Sequence, residues 1–202
     1  MRVLGVLVLW SPLWAQGVSL GLRSGVLVTP QIRAEGPRQT SAARFTIGPC
    51  IEVHLWRGAG LGVDVLLRRT ELAASAARVQ RAGVWLWEMP ATFIYRFRRP
   101  MGPFVRAGIA FNRVFDVSGA TECARGPSGE QFYCLEGSAL AELRHRSTSG
   151  FVLGCGLRLR WKKLWLEPEV RLTHWADRNF GVRDSAVRSE LNQAGLLLGV
   201  VF

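Results

Sequence analysis

The sequence predicts an all-β protein: a closed antiparallel up-and-down transmembrane barrel of about eight strands, preceded by a signal peptide. Three observations carry this reading. Apolar residues alternate with small or polar ones at a period of two along most of the chain. The links between the alternating segments are by turns short and long. The last segment, Asn192 to Phe202, is apolar on one face, small or polar on much of the other, and stops on an aromatic ring.

The N-terminus has the layout of a secretory signal. Met1-Arg2 is a positive start, Val3 to Trp10 an apolar run, and Ser11-Pro12 a break before Leu13-Trp14-Ala15-Gln16. This places a signal peptide at residues 1–16, cleaved near Ala15 or Gln16, and a barrel domain at residues 17–202. The alternative is a buried N-terminal strand or helix. Beyond this segment no run of about 18 apolar residues remains, which argues against a helical membrane protein.

At 202 residues the chain suits one domain with a sizeable core. Its 49% hydrophobic content, with eight Trp and ten Phe, excludes disorder. A formal charge of +11 raises the question of nucleic acid. The cations, however, are scattered singly or in pairs such as Arg98-Arg99 and Lys162-Lys163, not gathered on one helix face. That is a solvated or lumenal pattern, and no nucleic-acid partner is expected.

The strands are expected at Val18–Thr29, Arg44–Trp56, Gly60–Thr70, Gly83–Phe97, Pro103–Phe115, Gly150–Trp161, Leu164–Trp175 and Leu191–Phe202. In the second, Phe45, Ile47, Pro49, Ile51, Val53 and Leu55 alternate with Thr46, Gly48, Cys50, Glu52 and His54. The third sets Leu61, Val63, Val65 and Leu67 against Gly62, Asp64, Leu66 and Arg68. The fourth sets Trp85, Trp87, Met89, Ala91, Phe93, Tyr95 and Phe97 against Glu88, Pro90, Thr92 and Arg96. The seventh sets Leu164, Leu166, Pro168, Val170 and Leu172 against Glu167, Glu169, Arg171 and Thr173. In the last, Ala194, Leu196, Leu198, Val200 and Phe202 share a face. Pro49, Pro90 and Pro168 are awkward in a ladder because proline has no N–H, and they point to bulges or twists.

Soluble sandwiches and lipocalin-like barrels alternate too, so the links discriminate better. Short links are expected at Arg57–Ala59, Arg98–Gly102 and Lys162–Lys163, and long ones at Pro30–Ala43, Glu71–Ala82, Asp116–Ser149 and Ala176–Glu190. Strict alternation is what periplasmic turns and external loops produce around an up-and-down barrel, and an even strand number returns both termini to one side. Trp85, Trp87, Tyr95, Phe97, Phe115, Trp161 and Phe202 fall near strand ends, where aromatic rings favour the lipid–water boundary. Trp56, Trp165 and Trp175 have inward parity, and either cap the lumen or mark a bulge.

The stretch Trp85-Leu86-Trp87-Glu88-Met89-Pro90-Ala91-Thr92-Phe93-Ile94-Tyr95-Arg96-Phe97 resembles the E-hydrophobic-P…Y-x-F strand of the PorT-like outer-membrane β-barrel domain family. Gly102-Pro103-Phe104-Val105-Arg106-Ala107-Gly108-Ile109-Ala110 is similar to that family's next strand. Gly150 to Leu157 and Glu167 to Trp175 continue the likeness, with Leu172 where the family often has Tyr. The last strand completes it, so that nearly the whole mature chain is covered. The resemblance implies an outer-membrane barrel and no particular activity. The terminal Phe202 likewise resembles the terminal-aromatic signal of bacterial outer-membrane proteins, which implies that barrel-assembly machinery reads it.

Strand parity sends Arg23, Glu52, Asp64, Arg68, Glu88, Arg96, Arg106, Arg158, Arg160, Glu167, Glu169 and Arg171 inside. An eight-stranded barrel is just wide enough for side chains to fill, so these charges are expected to pair as a plug, with a narrow ion path as the alternative. Cys123 and Cys134 share the longest external link and are expected to form a disulfide in an oxidising compartment. Cys50 reads as an inward filler and Cys155 as an outward one, and their spacing fits no zinc or redox motif.

Catalytic motifs are thin. His54 is expected in the lumen and His174 at a strand end; His145 lies beside Ser147 and Ser149, with Asp177 on another external link. A surface hydrolase or acyltransferase needs such a set, but no nucleophile motif surrounds it. Gly58-Ala59-Gly60-Leu61-Gly62 has no following helix and reads as a turn, not a phosphate cradle. The sequence therefore points to a small integral outer-membrane barrel, non-enzymatic and without cofactor or metal, monomeric, whose external loops bind, adhere or shield the surface. The alternatives are an outer-membrane enzyme with a loop-borne site and a soluble periplasmic barrel holding a small ligand. The expected partners are outer-membrane lipid, the assembly machinery and an external ligand of unknown kind.

Overall fold

A computed structural model describes residues 17–29, 32–34, 45–75, 78–97, 102–125, 132–136, 145–179 and 187–202. At strand positions 32–34, 70–75, 78–83, 117–125, 132–136 and 187–188 the description is of the backbone alone. The expected signal peptide, residues 1–16, lies outside the described residues.

In chain order the strands are β1 (Gly17–Leu27), β2 (Ile32–Ala34), β3 (Phe45–His54), β4 (Ala59–Asp64), β5 (Leu66–Ser75), β6 (Arg78–Arg96), β7 (Gly102–Arg125), β8 (Phe132–Glu136), β9 (Ser147–Trp161), β10 (Leu164–Trp175), β11 (Val187–Ser189) and β12 (Asn192–Val201). The pairings β1–β3, β3–β4/β5, β4/β5–β6, β6–β7, β7–β9, β9–β10 and β10–β12 run round a wall of eight antiparallel strands. The wall closes where β1 meets β12, from Gly21↔Val201 to Leu27↔Gly195. The Phe202 N–H extends this seam, donating to the Leu20 carbonyl at 2.8 Å. Closure leaves no free wall edge, which a strand sheet in lipid requires because no water is there to satisfy open backbone groups.

The prolines shape the wall without ending it. The third wall strand is a single register interrupted at Val65: Cys50↔Asp64 and Ile47↔Leu67 belong to one alignment with β3, and Val63↔Ala91 and Leu66↔Glu88 to one alignment with β6. Continuing those alignments puts Pro49 opposite Val65 on one side and Pro90 opposite Asp64 on the other. Two neighbours without an N–H therefore flank the same spot, and the ladder parts there. A surviving bond runs from the Val65 N–H to the Pro49 carbonyl at 2.9 Å. Pro168 similarly interrupts the β9–β10 ladder between Leu166↔Leu159 and Glu169↔Gly156, while keeping its place opposite Leu198.

The long links differ from expectation. Glu71–Ala82 is largely strand, since β5 and β6 stay paired out to Ser75↔Val79. Asp116–Ser149 contains the end of β7 and all of β8, and Pro30–Ala43 and Ala176–Glu190 contribute β2 and β11, which pair with each other. A ladder supplies its own backbone hydrogen bonds in water as in lipid, so a strand need not stop where the wall does. At 19 and 24 residues, β6 and β7 far exceed the roughly 9–11 that cross a bilayer. A bulge at Phe115, between Trp85↔Asp116 and Leu86↔Val114, marks their exit. Trp85 and Trp87 pack on the Phe115 ring there, with centroids 6.5 and 5.7 Å away.

The faces are inverted relative to a water-soluble protein. Outward positions such as Leu20 (56% exposed), Ile51, Phe93, Ile109, Leu153 and Leu172 form an apolar band, while the buried inward positions mix charged residues such as Arg23, Glu52 and Asp64 with apolar ones such as Leu86, Ile94 and Phe104. Exposed rings gather at both ends of the band: Phe45, Phe111, Phe115 and Phe151 toward the long links, and Trp56, Tyr95, Phe97, Trp161 and Phe202 toward the short ones. This is the outside of a lipid-facing barrel.

Gly48 tests the break. A Cβ there would run into the Val65 carbonyl oxygen, whereas one at Gly195 would meet nothing closer than 3.4 Å. Gly48→Ala is expected to lower the unfolding free energy by about 1–3 kcal/mol and Gly195→Ala to change it little, read by urea unfolding of the folded barrel in vesicles.

Candidate functional site

Period-two alternation turns every second side chain of the wall into a narrow lumen, and the residues it delivers there include a layer of charges among apolar and hydroxyl side chains. Arg23 on β1 is fully buried and reaches carboxylates from three other strands. Its Nη1 donates to both Asp64 oxygens at 2.9 and 2.8 Å, and its Nη2 to Glu167 at 3.2 Å. Glu52 and Glu169 lie 3.5 and 3.6 Å from the same guanidinium. Arg106 on β7 bridges Glu52 and Glu169, each at 3.2 Å. Arg171 donates to Glu169 and Asp64, each at 2.7 Å. Arg158 on β9 stands 3.4 Å from Glu167, and Arg96 on β6 bonds Glu52. β12 meets this layer with Gly199, whose missing side chain leaves room for Arg23 and Glu167. Toward the long-link end, Arg68 bonds Glu88 and donates to Gln193 at 3.2 Å.

All nine residues of the expected charge network, Glu52, Asp64, Arg68, Glu88, Arg96, Arg106, Arg158, Glu169 and Arg171, thus face the lumen within ion pairs. Arg23 and Glu167 belong at its centre. Arg160 is a correction: despite its inward parity it is exposed, because the wall ends beside it. Among the described residues, side chains stand at both ends of the lumen. At the short-link end Trp165 is flanked by Arg158 and Arg160, 4.8 and 5.8 Å from its ring centroid. At the other end Trp175 is buried against Ala110 and Val152, and Asn179 is buried over the mouth, donating to the His145 carbonyl at 3.0 Å. Trp56, by contrast, is exposed in its turn. A cavity of about 20 Å³ remains around Thr46, Arg68, Glu88, Arg171 and Gln193, room for about one water molecule.

Two arrangements resemble catalytic sets. Ser19 Oγ lies 2.9 Å from His54 Nε2, and Arg96 Nη1 lies 3.2 Å from His54 Nδ1. A guanidinium only donates, so Nδ1 must accept, Nε2 carries the hydrogen, and Ser19 accepts it. His54 in that tautomer cannot take a proton from Ser19, and the pair is a structural member of the plug. No feature of the sequence isolates Ser19, which becomes visible only through the register Ser19↔Glu52. At the long-link rim, the segments that carry His145, Ser147 and Ser149 and that of Asp177 are tied together by bonds to the backbone. His145 N–H donates to the Asn179 carbonyl at 3.2 Å, Ala176 N–H to the Ser149 carbonyl at 2.8 Å, and Thr148 Oγ1 to the Asp177 carbonyl at 3.2 Å. The imidazole and the carboxylate take no part in these bonds.

Cys50 faces the lumen and is buried, whereas Cys155 is exposed on the outer face, and both are free. Cys123 and Cys134 are opposite one another in the β7–β8 ladder, with their side chains outside the described residues. β5, β6, β7 and β8 lie side by side beyond the Phe115 bulge, so the wall continues into a sheet above the aromatic ring zone.

Solved structures share this architecture. Neisserial surface protein A matches over 91% of this chain and 94% of its own, with 13% identity and a TM-score of 0.53. The outer-membrane protein OprG of Pseudomonas aeruginosa matches over 92% and 94%, with 9% identity and a TM-score of 0.50. The fold is that of small outer-membrane barrels. No protein-family model matches the chain, and no curated protein matches it.

Removing one carboxylate from the lumen leaves buried guanidinium groups without a counter-charge. Asp64→Ala, which strips a partner from Arg23, Arg106 and Arg171, is expected to destabilise the barrel by about 3–5 kcal/mol, with Glu169→Ala acting in the same direction. Urea unfolding measures this loss. A planar bilayer containing the wild type is expected to stay silent, and large steady currents would overturn the plugged lumen.

Proposed function

We propose that this chain is a small integral protein of the bacterial outer membrane, non-enzymatic, that binds, adheres or shields through the strands and links at its long-link end. The observation that carries the reading is the pairing of a filled, charged lumen with a sheet that outruns the membrane. A lumen occupied by salt-bridged arginines leaves little room for passage and offers no apolar pocket for a ligand, so activity is assigned to the exterior. The paired extension of β5 to β8 is a backbone framework on which the longest link is carried. The apolar outer band and its two aromatic zones support lipid as the surrounding medium.

In this reading residues 1–16 direct export, the barrel is a monomer, and Phe202 ends the closing strand where assembly machinery reads it. Kinship with the PorT-like family is part of the proposal. The enzymatic alternative is disfavoured by the His54 tautomer and by the backbone character of the bonds around His145.

Orientation is the first test. An epitope tag inserted near Gly126 is expected to be reached by antibody on intact cells, and one near Lys162 to be reached only after the outer membrane is opened. Equal labelling of both would sink the assignment. Replacing the segment from Val117 to Glu142 with a short turn is expected to leave a heat-modifiable barrel that no longer captures the external partner of the intact protein.

A Cys123–Cys134 disulfide is the second. Directly opposed residues in an antiparallel ladder have Cα atoms about 4.5–5.5 Å apart, inside the roughly 4.4–6.8 Å that a disulfide spans. Closing this short loop should stabilise the sheet by about 3 kcal/mol. Peptide mass spectrometry of non-reduced protein is expected to find the two linked; alkylation of both before reduction would remove the bond from the reading.

A further inference from the structure

The short-link end carries one sign of charge. Of the chain's 15 Asp and Glu, five are the lumenal Glu52, Asp64, Glu88, Glu167 and Glu169, and by sequence the other ten all fall in or beside the long links. The short links hold Arg57, Arg98, Arg99, Lys162 and Lys163 and no acid. Among the described residues, Arg57, Arg160, Lys162 and Lys163 are exposed.

Backbone geometry adds an independent observation. Arg57 and Lys162 stand at φ of 50° and 56° in their turns. That left-handed region costs an ordinary side chain and favours Gly or Asn. Two separate turns thus place a long cation at a position where a smaller residue would be easier. Strain of this kind, repeated at one end of a molecule, points to a use for the side chain.

The neighbours of these cations identify the use. Trp56 and Trp161 are exposed beside them, and Lys162 Nζ lies 5.9 Å from the Trp161 ring centroid, which holds the ammonium at the level of the boundary ring. A cation at that depth meets lipid headgroup phosphates before it meets any soluble anion. We infer that Arg57, Arg160, Lys162 and Lys163 form a phosphate-binding rim that selects anionic phospholipid in the inner leaflet of the outer membrane. This rests on the outer-membrane reading, which puts the short links on the periplasmic side, where the leaflet is phospholipid.

The test uses the full mature chain folded in phosphatidylcholine vesicles containing spin-labelled phosphatidylglycerol or spin-labelled phosphatidylcholine. The fraction of label held motionally restricted by the barrel is compared. Wild type is expected to prefer phosphatidylglycerol roughly fivefold at low salt, with the preference shrinking as salt is added. Combined Arg57→Gln, Arg160→Gln, Lys162→Gln and Lys163→Gln should bring the two lipids level, and the Lys162→Gln, Lys163→Gln pair alone should give an intermediate value. A control with Arg69→Gln, Arg113→Gln, Arg146→Gln and Arg178→Gln removes the same charge from the other end and should keep the preference. Loss in the control with retention in the rim variant overturns the inference, as does equal binding of the two lipids by wild type. Inorganic phosphate that displaces the lipid more than chloride of equal ionic strength would make this a general anion site and overturn it too. Insertion is read first from the shift between unheated and boiled gel samples. A chain that never inserts ends the outer-membrane reading itself, whereas an inserted chain without lipid preference ends only the rim.

Discussion

The structure depends on the ion-pair network around Arg23. A closed wall of eight strands that turns its apolar side chains outward has only its inward side chains with which to fill the middle. Many of those side chains are long and charged, and each isolated charge in such a place would cost several kcal/mol. The solution is mutual: Arg23, Arg106 and Arg171 share Asp64 and Glu169, while Arg96 and Arg158 share Glu52 and Glu167. Because these residues come from β1, β3, β4, β6, β7, β9 and β10, the network ties most of the wall across its diameter. Closure and filling are thus one constraint. A wall opened at the β1–β12 seam would expose backbone to lipid and pull Arg23 from its carboxylates.

That constraint explains why small residues recur on the inner face. Gly154 sits against Arg106 and Glu169, and Gly199 against Arg23 and Glu167, so the guanidinium planes occupy space that side chains there would take. It also explains how the wall tolerates prolines. The break at Val65 removes ladder bonds from one short stretch between Pro49 and Pro90, yet the register on either side is unchanged, so Asp64 still faces inward. A one-residue slip would have turned Asp64 to the lipid face and left three arginines facing a gap.

In the proposed reading, a plugged interior leaves function to the surfaces. At one end β5 to β8 continue as a sheet in water; at the other, tight turns carry cations and boundary rings. The interior hydroxyl and imidazole groups belong to the filling: Arg96, a donor to His54, fixes the tautomer that denies Ser19 a base. Chemistry that looks catalytic by residue type is thereby assigned a packing role by hydrogen-bond direction.

The inward and outward sets were legible in the sequence because a strand's side-chain period is two whatever it pairs with. That period alone placed Glu52, Asp64, Glu169 and Arg171 inside and Leu196 and Leu198 outside, and the alternating link lengths implied an even number of strands and a common end for both termini. Partners across the lumen were not legible. Arg23 meeting Asp64 and Ser19 meeting His54 are consequences of register, which long-range pairing decides, whereas Cys123 and Cys134 are brought together in the sequence by the one link they share. Nor were strand ends, because a paired ladder satisfies its own backbone in water: β6 and β7 run past the bilayer, while Arg160, of inward parity, falls just beyond the wall and is exposed. The interruption at Val65 needed prolines on both neighbours, and only the tertiary structure brings Pro49 and Pro90 to the same place.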